Sequence, residues 1–268
     1  MKLIAAPGPV LYFRAMHLGS VTYNLLKDWD LETLITKLEQ AGFEAVELRT
    51  THKHGVEPSL DAAGRERVKA RFARSKVRLL SYGTVCEFHS PDAEVRKKHV
   101  EDGKAFIDLA HDTGAWGIKV RPNGLPAQVP KETTIANIGA ALRELGDYGA
   151  GKGVEIWMEV HGRDTQVPEV SHAIMKAAKH PNVGVCWNSN PTDVVNGSVK
   201  QNFDLLRPFI KNVHINELTD PRYPWREFFT LLRKSGYDRY TLAEVQESKE
   251  PERFLRWYRA LWSELTRA

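Results

Sequence analysis

Apolar and polar positions along the chain alternate between two patterns. Short runs rich in β-branched and aromatic residues are each followed by a longer run whose apolar positions recur every three to four residues. Read in order, the pattern predicts strands over 18–23, 43–48, 77–83, 116–122, 154–160, 183–187, 210–215 and 239–245. It predicts helices over 30–42, 59–75, 92–114, 131–153, 168–178, 198–209, 224–236 and 250–265. Asp30 is placed to cap the first helix and Gly42 to stop it.

Strands that alternate with helices imply parallel βαβ units. Eight such units suit one α/β domain, a closed (β/α)8 TIM barrel, whose usual length is about 250 residues. The expected domain spans 1–268, with 1–17 as an N-terminal extension. A doubly wound open sheet would carry a glycine-rich turn after its first strand. Here that turn reads YNLLKDWD, with no GxGxxG.

Composition narrows the classes of partner. Among 268 residues, 42% are hydrophobic, enough for a large core, and 27% are charged. The net charge of +4 arises from 38 Lys and Arg against 34 Asp and Glu, with the signs interspersed, which argues against a nucleic-acid partner. No run of 18 apolar residues suggests a membrane span. The opening MKLIAAPGPVLYFR is broken by Pro7 and Pro9 and makes a poor signal peptide, so a cytoplasmic location is expected, with a processed or truncated leader left open. Cys86 and Cys186 sit in strand-like segments and read as reduced core residues.

In a barrel, chemistry gathers at the C-terminal ends of the strands. Those ends carry Glu47, Arg49, His52 and His54; Glu87 and His89; Lys119, Arg121 and Asn123; Glu159, His161 and Arg163; Asn188 and Asn190; His214, Asn216 and Glu217; and Glu244 and Gln246. Charges there cost desolvation unless they are paired or bind a metal. Plainer readings stand beside this one. Glu47 could partner Arg49, Lys119 and Arg121 could neutralise nearby carboxylates, and Glu87 and His89 could open a helix ahead of Pro91. His99, His111, His172 and His180 read as solvated, and Trp257, Tyr258 and Trp262 as packing against the barrel.

Glu159, Asn188, His214 and Glu244 are separated by 29, 26 and 30 residues, one βα unit each time. Four successive strands would bring them around one point. Oxygen and imidazole donors suit Mn²⁺, Mg²⁺, Co²⁺ or Zn²⁺.

The segments WMEVHG (157–162), GVCWNSNP (184–191), NVHINEL (212–218) and TLAEV (241–245) resemble the xylose isomerase-like superfamily of sugar phosphate isomerases and epimerases. The resemblance covers essentially the whole chain. It implies Glu, Asp, His and Glu on the last four strands around one divalent ion, with Mn²⁺ the leading choice here. Glu159, His214 and Glu244 match. Asn188 stands where Asp is usual, and Pro191, beside Asn190, stands where a His is common. The implied chemistry is isomerisation or epimerisation of a keto sugar or inosose. A proton beside a carbonyl is removed through an enediolate, with Glu159 and Glu244 as paired acid and base. His161, Lys119, Arg121 and Arg163 become candidate substrate contacts, as do His52, Glu47, Asn190 and Glu217.

Asn188 can still ligate through its amide oxygen, but with one negative charge fewer the ion should bind more weakly and act as a stronger Lewis acid. Three other functions compete. A lyase or dehydratase of a cyclic keto-polyol would use the same proton abstraction. A sugar-binding protein with weakened catalysis would fit Asn188. An abasic-site endonuclease is disfavoured by the missing Asp and His and by the dispersed charge. The expected partner is a small, non-phosphorylated carbohydrate, since no glycine-rich phosphate loop is evident. A homo-oligomer, dimer or tetramer, stays open as the assembly.

Overall fold

All eight expected strands form, and each pairs in parallel with its neighbours. The computed structural model describes residues 16–267. The N-terminal extension therefore lies outside the described residues except for Met16 and His17, and His17 opens the first strand. The strands are β1 (His17–Asn24), β2 (Ala45–Arg49), β3 (Arg78–Glu87), β4 (Gly117–Arg121), β5 (Glu155–Glu159), β6 (Val183–Asn188), β7 (Ile210–Ile215) and β8 (Tyr240–Val245). They close in the order β1-β8-β7-β6-β5-β4-β3-β2, and β1 pairs β2 to complete the barrel. The helices are α1 (Leu31–Ala41), α2 (Ala62–Ala73), α3 (Ala93–Thr113), α4 (Lys131–Ala150), α5 (Pro168–Ala178), α6 (Lys200–Leu206), α7 (Trp225–Lys234) and α8 (Pro251–Leu265).

Local chemistry sets the boundaries. The Asp30 carboxylate accepts from the Thr33 amide at 2.8 Å, and Gly42 ends α1 in the left-handed region at φ 76°. β3 runs four residues past its expected end. A register shift between Gly83 and Glu87 bulges the strand, so Glu87 pairs with Arg121 and is a strand residue, not the opening of a helix.

Burial falls into two clusters, because side chains along a barrel strand alternate between outside and inside. The larger cluster packs strands against helices. The smaller one, Val21, Ala45, Leu80, Trp157, Cys186 and Leu242, fills the barrel interior. Trp157 takes so much of that interior that a Cβ at Gly117 would lie 2.9 Å from its ring. In α8, Leu255, Tyr258 and Trp262 are buried, whereas Trp257 is 62% exposed with Arg253 stacked on it. The expectation that Trp257 packs on the barrel is thus corrected: it falls on the face of the helix opposite its buried neighbours. His99, His172 and His180 are likewise half-buried, not solvated. His99 Nδ1 accepts from the Glu87 amide, and His180 pairs with Asp147.

Candidate active site

The inside–outside alternation that places the interior cluster also places the polar cluster. Two residues beyond Ala45, Trp157, Cys186 and Leu242, on the same inward face, come Glu47, Glu159, Asn188 and Glu244. His214, opposite Asn188 in register, joins them from β7. Its Nδ1 lies 3.5 Å from Glu159 Oε1 and 3.4 Å from Glu244 Oε2, and its Nε2 lies 3.4 Å from Glu47 Oε1.

Glu159, His214 and Glu244 offer ligand atoms within 4.8 Å of one another, a group able to hold a metal ion. A cation there fits the residues present. Asn188 Oδ1 and both His214 ring nitrogens are buried and have no hydrogen-bond partner among the described residues. Buried polar atoms are rarely left so. The donor set of two carboxylates, an imidazole and an amide oxygen suits a hard or borderline divalent ion.

Lys119 comes from β4 and donates to Glu159 Oε2 at 2.7 Å, with both side chains nearly fully buried. Burial alone would push Glu159 up, but Lys119 and His214 hold it well below the usual carboxylate range. Burial likewise works against the Lys119 ammonium, yet Glu159, Glu47 and Glu244 keep it above its ordinary value. The two shifts agree that this is a charged pair. Glu47 accepts from the Ser81 hydroxyl at 2.8 Å and lies behind the histidine, while Arg49 turns to the Thr50 carbonyl. The two do not pair.

A cavity of about 720 Å³ opens onto Asn188 and Glu244. His161, Asn190 and Glu217 line it, as do Ser189, Tyr223, Trp225 and Gln246. The remaining candidates lie elsewhere. Arg121 pairs with Glu87 at 2.5 Å. Arg163 stands 81% exposed beside Asp164. His52 accepts or donates to the Thr22 hydroxyl at 2.8 Å and stacks on Tyr23, which reaches the cavity rim. Burial and the nearby Arg49 push His52 down to about 4. Burial raises the Cys86 and Cys186 thiols to about 11, as befits neutral core residues.

Sequence reasoning missed Asp193 and Tyr223, although Asn190-Pro-Thr-Asp193 carries the spacing of a capping box. The Asn190 amide and the Tyr223 hydroxyl both donate to Asp193 Oδ2, and Trp187 Nε1 donates to that hydroxyl. This chain shapes the cavity wall while leaving Asp193 fully buried. Burial pushes its carboxyl well above the ordinary 3.8, against the pull of Asn190 and Tyr223. Because the folded value is raised, the stability linked to the neutral acid is fully present below the unfolded value and is lost as pH rises through the folded one. Asp193→Asn, which stays neutral, should therefore gain thermal stability on the wild type as pH rises. Melting curves taken between about pH 4 and pH 8 check this, and a pH-independent difference would refute it.

The fold and the cluster together define a (β/α)8 barrel with a carboxylate–imidazole group at the C-terminal ends of its strands. Residues 35–261 match the family model described as xylose isomerase-like TIM barrel, and the chain belongs to that family. Among solved structures it is similar to a D-psicose 3-epimerase from Clostridium cellulolyticum H10, with 15% identity, a TM-score of 0.80, and 94% of this chain and 100% of that one covered. It is also similar to a 3-keto-D-glucoside 4-epimerase from E. coli, with 14% identity, a TM-score of 0.77, and coverage of 94% and 99%. A third is the IOLI protein with a binding zinc atom, with 17% identity, a TM-score of 0.77, and coverage of 94% and 98%. At these identities the likeness establishes the fold. At the level of sequence, none of the curated proteins matches this chain. Among the described residues, no helix is long and apolar enough to cross a membrane.

Proposed function

We propose that the protein is a divalent-metal-dependent isomerase or epimerase of a keto sugar or inosose. The observation that carries this reading is the pair of carboxylates, Glu159 and Glu244, set 3.5 and 3.4 Å from one buried imidazole nitrogen where the cavity meets the barrel. Glu159, Asn188, His214 and Glu244 would hold the ion, Mn²⁺ first among the candidates. When bound, it supplies Lewis acidity to adjacent carbonyl and hydroxyl oxygens.

The residues divide the remaining work. Glu244, with 18% of its side chain exposed, is the more open carboxylate and can take a proton from the hydroxyl-bearing carbon next to the carbonyl. Lys119 keeps Glu159 ionised, so that it too can accept or return a proton at Oε1. Removal by one carboxylate and return by the other from the opposite face inverts the carbon. The neighbouring epimerases of the same fold support this class of substrate.

The test is exchange of solvent tritium into a panel of keto sugars and inososes with Mn²⁺ added. Exchange with a recovered epimer or isomer is expected. A UV-absorbing enone would instead point to the lyase, and absence of exchange across the panel would reject the proposal.

A further inference from the structure

The cavity contains a hydrogen-bonding group whose direction is set from outside it. His161, which lines the cavity, has its Nδ1 3.0 Å from Asn123 Oδ1. The other end of that amide, Asn123 Nδ2, donates to Glu87 Oε1 at 2.6 Å. Arg121 donates to the same carboxylate oxygen and holds it in place.

The carboxylate removes the usual ambiguity of an amide. Turned over, Asn123 would point its carbonyl oxygen at Glu87 and its NH₂ at the histidine. An ionised carboxylate only accepts, so it admits just the NH₂ end. Asn123 Oδ1 must then face His161, and the ring nitrogen opposite it must carry the hydrogen. Nε2, the other ring nitrogen, has no hydrogen bond among the described residues and is not among the buried unpartnered atoms. It is the ring atom left to the cavity.

The backbone is committed to the same end. Asn123–Gly124 and Gly162–Arg163 form a two-stranded parallel ladder beside the barrel, with Asn123 opposite Gly162. Asn123 sits in the left-handed region at φ 63°, which Asn tolerates better than most residues. Gly162 has φ 91°, and a Cβ there would lie 2.5 Å from Asn123 Cα. The bulge in β3 that carries Glu87 to Arg121 completes the support.

We infer that Glu87 and Asn123 act as positioning residues that hold His161 as the Nδ1–H tautomer, so that Nε2 meets the substrate as a hydrogen-bond acceptor. Such an acceptor selects a hydroxyl group. While the ring is neutral, it disfavours a carbonyl oxygen at that position, because two acceptors then face each other in a partly desolvated site. The substrate class named above thus gains a polyol hydroxyl against His161. That consequence rests on the keto-sugar reading, whereas the tautomer does not.

The test uses the full chain with ¹⁵N-labelled histidine, without metal or sugar, at alkaline pH where imidazole is neutral. Long-range ¹H–¹⁵N spectra report which ring nitrogen is protonated, and His161→Gln assigns the signals. In the wild type, His161 Nδ1 is expected in the protonated range and Nε2 in the unprotonated range. Asn123→Leu should release the ring toward the Nε2–H form that imidazole side chains favour in water. An Nε2–H signal in the wild type, or an unchanged spectrum in Asn123→Leu, overturns the inference, and the wild-type spectrum decides alone if the leucine variant does not fold. Failure of the tritium exchange with the expected tautomer present would reject the sugar chemistry and leave the positioning intact.

Discussion

Glu244→Gln is expected to lower tritium exchange into the keto-sugar substrate by about 10²–10⁴-fold, the usual contribution of a positioned acid or base. Glutamine keeps an oxygen that can face a cation but cannot take a proton at neutral pH. Glu159→Gln should give a loss of the same order, with an added complication. Lys119 would lose its partner at 2.7 Å while its side chain is only 6% exposed. Breaking one partner out of a buried pair commonly costs about 3–5 kcal/mol. Glu159→Gln must therefore be checked for folding by circular dichroism before its rate is read. Glu244 is more exposed and makes no direct pair with Lys119, its nearest charged neighbour being His214 at 3.4 Å, so its variant is the cleaner measurement. If either folded variant exchanges at close to the wild-type rate, the paired acid–base reading is wrong.

Asn188→Asp is expected to tighten divalent-ion binding by about tenfold or more. A unit charge about 4 Å from another is worth about 4 kcal/mol at the effective dielectric of a protein site. Desolvation of the new carboxylate and repulsion from Glu159 and Glu244 take back part of that. Elemental analysis after dialysis measures the result, with no turnover required. The wild type should keep less ion than the variant. A wild type that holds less than about a tenth of an equivalent and gains no activity from Mn²⁺ would count against a metal at this site. Equal retention by both proteins would show that Asn188 lies outside the ligand set.

Much of the barrel is legible because its determinants are local. The hydrophobic period distinguishes strand from helix, and the α5 bounds 168–178 and the β7 bounds 210–215 follow from it directly. Caps are equally local: Asp30 and Gly42 do what their side chain and lack of one allow. The inward face of each late strand is also readable. Counting by two from the apolar interior lands on Glu159, Asn188 and Glu244. Trp257 could have been placed by the same means, since the helical period alone sets it opposite Leu255, Tyr258 and Trp262.

Partnership is another matter. Glu47 stands two residues from Arg49 in sequence, yet it points inward to Ser81 and His214, and Arg49 bonds to a neighbouring carbonyl. Lys119 and Arg121 share one strand face but serve different carboxylates, Glu159 and Glu87, because the β3 bulge shifts the register between them. Asn123 and His161 meet only through a ladder between two loops.

The sequence by itself determined the class of fold, the order of its elements and the inward residues of the strands, because periodicity, caps and strand parity act over a few residues. Only the tertiary structure decided which charge neutralises which, how Asp193 comes to be buried and what orients His161. Those outcomes depend on closing the barrel and on the register between strands, where a shift of one residue turns a side chain from inside to outside.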